Sequence, residues 1–252
     1  MFIRNETFQT YRSSYPIITG IVAINIIVFF WINFLPGGTW ILQNGIGFNL
    51  AVAEGQYWRL LTPVFMHQGF MHIIFNMLSL ILFGPALEKM LGKMKFILLY
   101  LGAGILANVA TFFIAGLGYY PHLGASGAIF GLFGAYFYIV LLRKDLIDQQ
   151  NSQVIMMILL IGLIMTFVNP NINIYAHIFG AIAGALIVPP LLIGAKPYYT
   201  PAPVRTYTDP SEVSFNPNRW QKKSFSNRKL GKIFWIVLGI LVFLGVISRF
   251  LL

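Results

Sequence analysis

The sequence predicts an all-α membrane protein, a six-span helical bundle followed by an additional C-terminal transmembrane helix. Three observations predict it. Of the 252 residues, 58% are hydrophobic and 10% charged, whereas a soluble domain is roughly half apolar and about a quarter charged. Apolar runs near the ~20 residues that cross a bilayer recur along almost the whole chain. Lysine and arginine gather in alternate connections between those runs, as retention of positive charge on the cytoplasmic side requires.

Seven segments qualify as spans: residues 16–35, 70–87, 96–116, 126–142, 153–169, 174–194 and 232–251. The first follows a short cytoplasmic N-terminus, residues 1–15, carrying Arg4 and Arg12. It is long, lacks a small-x-small cleavage site and is followed by further spans, so it reads as a retained helix rather than a signal peptide. Between the first two spans lies a long connection containing Trp40, Phe48, Tyr57 and Trp58 among several glycines. Its apolar content suggests an outer structure dipping into the membrane interface. Pro36-Gly37-Gly38, Pro121, Asn169-Pro170 and Pro189-Pro190 punctuate the span boundaries, where the chain leaves helical geometry at least cost. Residues 16–194 thus form a six-span core. Residues 195–231 are polar and rich in Pro, Tyr and Ser, a cytoplasmic linker, and residues 232–252 supply the seventh helix.

With the N-terminus inside, fifteen of the 17 basic residues face the cytoplasm; only Arg59 and Arg249 fall outside. The net charge of +10 is therefore explained by topology and contact with anionic lipid rather than by nucleic acid. Cysteine is absent, which excludes disulfides, a thiolate nucleophile and Cys-ligated metal. The seven acids, Glu6, Glu54, Glu88, Asp145, Asp148, Asp209 and Glu212, fall in loops or at span edges. No intramembrane acid pair and no His-Glu-x-x-His helix is present, so aspartyl and zinc-hydrolase chemistry are excluded, and a proton-coupled transporter is disfavoured. No cofactor and no metal is expected.

Polar side chains at membrane depth are costly, and each is a functional candidate until packing explains it. Gly124-Ala125-Ser126-Gly127-Ala128-Ile129-Phe130-Gly131 opens the fourth span. Its glycines let a neighbouring helix approach, and its helix start leaves unpaired N–H groups beside Ser126. Such groups can stabilise an oxyanion; glycine spacing by itself favours plain helix packing. His177 opens the sixth span, followed by a second small-residue stripe at Gly180 and Gly184. The topology returns it to the same end as Ser126, where an imidazole could serve as base to the hydroxyl; a lone histidine there is otherwise an interfacial residue. His72 and Asn76, spaced i and i+4 on the second span, share one face near the same end. They fit an oxyanion hole or a pair satisfying each other within a helix interface. His67 with His72 lacks a third ligand and makes no metal site.

These motifs resemble those of the rhomboid intramembrane serine proteases. The resemblance covers residues 16–194 and rests on Gly-x-Ser-Gly-x-x-x-Gly at Gly124, Ser126, Gly127 and Gly131, and on Ala-His-x-x-Gly-x-x-x-Gly at Ala176, His177, Gly180 and Gly184. His-x-x-x-Asn at His72 and Asn76, and Trp58-Arg59 in the first loop, complete it. It implies a rhomboid-like fold in a bacterial plasma membrane and a dyad of Ser126 and His177 without an acid. It implies also that the Ser126 N–H, His72 and Asn76 bind the oxyanion, that Trp58-Arg59 stabilises the first loop, and that the substrates are transmembrane segments of other proteins. Phe130 stands where many bacterial relatives carry a tyrosine against the catalytic imidazole. A rhomboid-like protein that binds transmembrane clients without cutting them is the alternative; such proteins usually lack the serine or the histidine, and both are retained here.

Overall fold

The computed structural model describes residues 6–168, 172–198 and 236. Every regular element among them is helical, and the only extended pairing among the described residues is an isolated antiparallel bridge between Gly47 and His122. Arg4, the Asn169-Pro170 boundary, the linker beyond Tyr198 and the expected seventh span, Ile236 apart, lie outside the described residues.

A short helix α1, Phe8–Ser14, is capped by Thr7, whose hydroxyl accepts the Thr10 N–H at 3.2 Å. Helix α2, Pro16–Phe34, begins on proline, whose missing N–H costs nothing in a first turn. The long first connection is structured. It contains α3 (Gly38–Gly45), α4 (Asn49–Ala53) and two 3₁₀ turns at Tyr57–Leu60 and Thr62–Phe65. Then come α5 (Phe70–Leu91), α6 (Lys93–Ala115), α7 (Ser126–Leu142), α8 (Gln149–Val168) and α9 (Ile174–Leu191). Helices α2, α5, α6, α8 and α9 are each long and apolar enough to cross a membrane. Helix α7, with 17 residues, is apolar but shorter than these five.

Helices α2 and α5 to α9 coincide within a few residues with the apolar segments expected for the core, with one consequential difference. The second runs beyond residue 87 to Leu91, which brings Glu88 inside the helix and buries it to 3% exposure. The sequence places this acid at a span edge, but its carboxylate accepts the N–H groups of Ile17 and Ile18 at 3.0 and 2.9 Å. These are orphan donors of the α2 N-terminus, and a carboxylate there also meets the positive end of the helix dipole. Glu88 is thus a cap supplied from another helix.

Helices α6, α7 and α9 form the tightest part of the bundle. Their contact surfaces are nearly stripped to backbone. A Cβ placed on Gly180 would collide with the carbonyl of Gly127, one on Gly184 with that of Gly131, and one on Gly134 with that of Ala181. On the other flank of α7, Gly131 meets Ala103 and Gly127 meets Ala107 of α6. In an apolar solvent, helices gain little from hiding apolar surface from one another. Close van der Waals approach along small-residue stripes supplies the attraction instead.

Substituting Gly184 by Ala must displace a backbone carbonyl, and should cost about 1–3 kcal/mol in unfolding measured in detergent. Gly20→Ala, at a position with open space around it, should be neutral or stabilising by up to ~1 kcal/mol. Glu88→Gln should lower stability by about 1–3 kcal/mol in the same assay, because it leaves a buried helix-start donor poorly paired.

Candidate active site

The floor of the site is the loop ahead of α7. Gly124 has φ +131°, a conformation that side chains disfavour, and a Cβ added there would lie 2.7 Å from Nε2 of His72; both facts require glycine. The Gly124 N–H donates to the Pro63 carbonyl at 2.9 Å. The next N–H, of Ala125, donates to Nε2 of His67 at 3.3 Å. Ahead of them, Gly47 and His122 exchange two backbone bonds of 2.9 Å. The first connection therefore holds the entry to α7 at three successive points.

Ser126 is the first residue of α7, half-buried, with no side-chain cap on the helix. The N–H groups of Ser126, Gly127 and Ala128 lie in the first turn, which has no preceding helical carbonyls to bond. A small cavity of about 20 Å³ opens beside them, lined by Asn108, His122, Ser126, Gly127 and Asn173 among others. By the measure on which one water needs about 10–15 Å³, it accommodates a water or a very small side chain.

His177 enters one turn into α9. Asn173 caps that helix, its Oδ1 accepting the Ala176 N–H at 2.9 Å. The imidazole is 6% exposed and stacks on Phe130, with ring centroids 4.0 Å apart and planes 19° from parallel. Phe130 stands one turn beyond Ser126 on the same face of α7, and Gly127, next to Ser126, touches Ala176, next to His177. Serine and histidine therefore occupy the same end of the most closely packed helix pair. The stacking expected of an aromatic ring at position 130 is present without a tyrosine hydroxyl. Nδ1 of His177 lies 2.9 Å from the Thr166 hydroxyl on α8.

The His72 ring packs against Gly124, two residues before Ser126. Asn76 is buried, and its amide donates to the His72 carbonyl at 3.0 Å, which leaves one N–H of that amide for another acceptor. Trp58 and Arg59 serve the first connection rather than the Ser126 pocket. The indole donates to the Asn44 carbonyl at 2.9 Å. The buried guanidinium donates to the carbonyls of Gln43 and Ile46 at 2.9 and 2.8 Å and to the Gln56 side chain at 2.7 Å.

Three residues near the site were not singled out in the sequence. Thr166 and Asn173 look ordinary for a helix interior and a helix start, and His122 stands alone in a loop. Only chain folding gives them neighbours. His67, dismissed as half of a weak metal pair with His72, instead accepts a backbone N–H at the start of α7. Among the described residues no three His, Cys, Asp or Glu gather as metal ligands.

Comparison with known proteins gives a consistent picture. The family model described as Rhomboid domain matches residues 54–193. "Putative rhomboid protease YdcA" of Bacillus subtilis (strain 168) is 47% identical over 190 residues, 74% of this chain and 94% of that protein. Rhomboid protease GluP of the same organism is 38% identical over 166 residues, 65% of this chain but 32% of its own length. RHOMBOID-like protein 5 of Arabidopsis thaliana is 32% identical over 149 residues, 59% of this chain and 48% of that protein.

His67 can accept the Ala125 N–H only while its Nε2 is unprotonated. Burial, reinforced by the neighbouring His72, lowers its pKa from 6.5 to about 3, and burial lowers that of His122 to about 4. Below pH 6.5 the unfolded chain therefore binds more protons than the folded one, and stability falls as pH drops toward 4. The unfolding midpoint in detergent should decrease over that window, and the slope against pH should flatten in His67→Gln.

Proposed function

The chain belongs to the rhomboid family of intramembrane proteases, and from that premise we propose that it is a serine endopeptidase whose nucleophile is Ser126 and whose base is His177. The observation that carries this reading is the stacking of His177 on Phe130, one turn from Ser126, at the backbone-close seam of α7 and α9.

The chemistry follows from the groups present. Nε2 of His177 removes the Ser126 proton as Oγ attacks the substrate carbonyl, and the imidazolium then protonates the leaving amine. An acyl-enzyme remains, which water hydrolyses with His177 again as base. The negative charge on the tetrahedral oxygen meets the Ser126 N–H, the His72 ring and the free N–H of Asn76. Fixed donors of this kind are commonly worth about 10² to 10³ in rate each. No acid is required behind the imidazole, whose Nδ1 meets the Thr166 hydroxyl at 2.9 Å.

Substrate class follows from the same physics. A regular transmembrane helix ties up its carbonyls in i to i−4 bonds, so a cleavable segment needs small or helix-breaking residues at the cut. The small cavity beside Ser126 favours a small side chain there. At 1.5 Å per residue, α7 spans about 25 Å, less than the roughly 30 Å hydrocarbon core. Ser126 at its first residue then sits below the membrane surface, open to water from the outer side. In this reading residues 16–194 are a six-span catalytic core of a bacterial plasma membrane protein. The N-terminus and the linker 195–231 are cytoplasmic, and the apolar segment 232–252 carries the C-terminus outside.

Cleavage of a model transmembrane substrate containing such a segment should fall by at least about 10³ in Ser126→Ala and in His177→Ala. Labelling by a fluorophosphonate probe should require Ser126. Cleavage retained by either variant would remove the dyad. Binding of transmembrane clients without any cleavage by the native chain would instead favour the non-cutting binder.

A further inference from the structure

An imidazole that deprotonates serine must present a lone pair to the hydroxyl and carry its proton on the other nitrogen. Where no carboxylate stands behind the ring, another group has to fix that tautomer. Behind His177 stands Thr166. Its Oγ1 lies 2.9 Å from Nδ1 of His177 and 2.8 Å from the carbonyl oxygen of Gly162, one turn back on α8. A hydroxyl has one hydrogen, and a carbonyl oxygen only accepts. With that hydrogen directed to Gly162, Thr166 offers the ring a lone pair alone. Nδ1 then donates, and Nε2 is left as the basic nitrogen.

The surroundings of this contact separate it from ordinary packing. Helix α8 is the least buried of the long apolar helices, with 11% of its apolar window covered against 28–56% in the others. Of its 20 residues only Ile155 and Thr166 are buried, Thr166 completely. The one polar side chain that α8 encloses is therefore the one aimed at the imidazole. Back-bonding to Gly162 already satisfies the threonine hydrogen, so nothing in its own requirements calls for a second partner. Phe130 fixes the face of the ring, and Thr166 meets its far edge.

We propose that Thr166 is a positioning residue for proteolysis: it accepts the Nδ1 proton of His177, holds the ring in the tautomer with Nε2 basic, and bears on the imidazolium formed during attack. The proposal rests on the Ser126 and His177 reading. Because α8 has so little other buried surface, the same bond makes the orientation of the base depend on that helix being seated.

The test uses the full chain in lipid nanodiscs with ¹⁵N-labelled histidine, the His177 signals being those lost in His177→Gln. In the native protein at neutral pH, Nδ1 of His177 should read as protonated and Nε2 as unprotonated. Thr166→Val, which keeps the shape and removes the hydroxyl, should lose that preference. Its kcat on a transmembrane substrate should fall about tenfold or more while KM stays within about twofold, and Thr166→Ser should restore both readouts. A native spectrum with the proton on Nε2, or native turnover in Thr166→Val, would overturn the proposal. Should the valine variant not fold, the native spectrum alone decides. Cleavage surviving in His177→Ala would instead strike the dyad itself, a result that the Thr166 variants do not produce.

Discussion

Everything at the site depends on how closely α7 and α9 approach. Gly127, Gly131 and Gly134 on one helix, and Gly180, Ala181 and Gly184 on the other, leave backbone facing backbone. A side chain at Gly134, Gly180 or Gly184 would push the axes apart. The first turns of the two helices would separate with them, and those turns carry Ser126 and His177. Lipid provides no hydrophobic pressure to close such a gap, so small-residue packing has to do it. The catalytic geometry proposed for this chain is in that sense a property of its glycines.

A second constraint acts on the polar backbone where regular helix stops. The segment entering α7 is tied successively to Gly47, Pro63 and His67, and the first connection is held in turn by Arg59. Asn49 and Asn108 extend the same scheme to α6. Asn49 donates to the Gly116 carbonyl at 2.8 Å and Asn108 to the Leu60 carbonyl at 2.9 Å. Buried backbone outside regular helix persists only where protein groups replace water as partners. Here neutral imidazole, amide and guanidinium groups do so, and Glu88 performs the equivalent service at the start of α2.

Helix α8 stands apart from this network. It presents most of its surface outward, yet its buried threonine reaches the ring at the centre of the proposed mechanism. Closely packed and sparsely packed helices therefore meet at His177. One face of the imidazole lies on α7, its backbone belongs to α9, and its far edge meets α8.

The sequence by itself determined the lipid solvent, the helical class, the positions of the apolar helices within a few residues, and the family to which the chain belongs. It could do so because apolar run length, glycine spacing and motif order are local and survive without coordinates. It also nominated Ser126, His177, His72 and Asn76, since isolated polar residues are conspicuous against an apolar background. Only the tertiary structure decided that Glu88 is a buried cap, that His67 supports a loop, that Thr166 stands beside His177, and that Asn173 lines the cavity beside Ser126. Those assignments join residues as far apart as 71 positions in the chain. A threonine or asparagine can satisfy itself on its own helix, so nothing local distinguishes the one that has a distant partner.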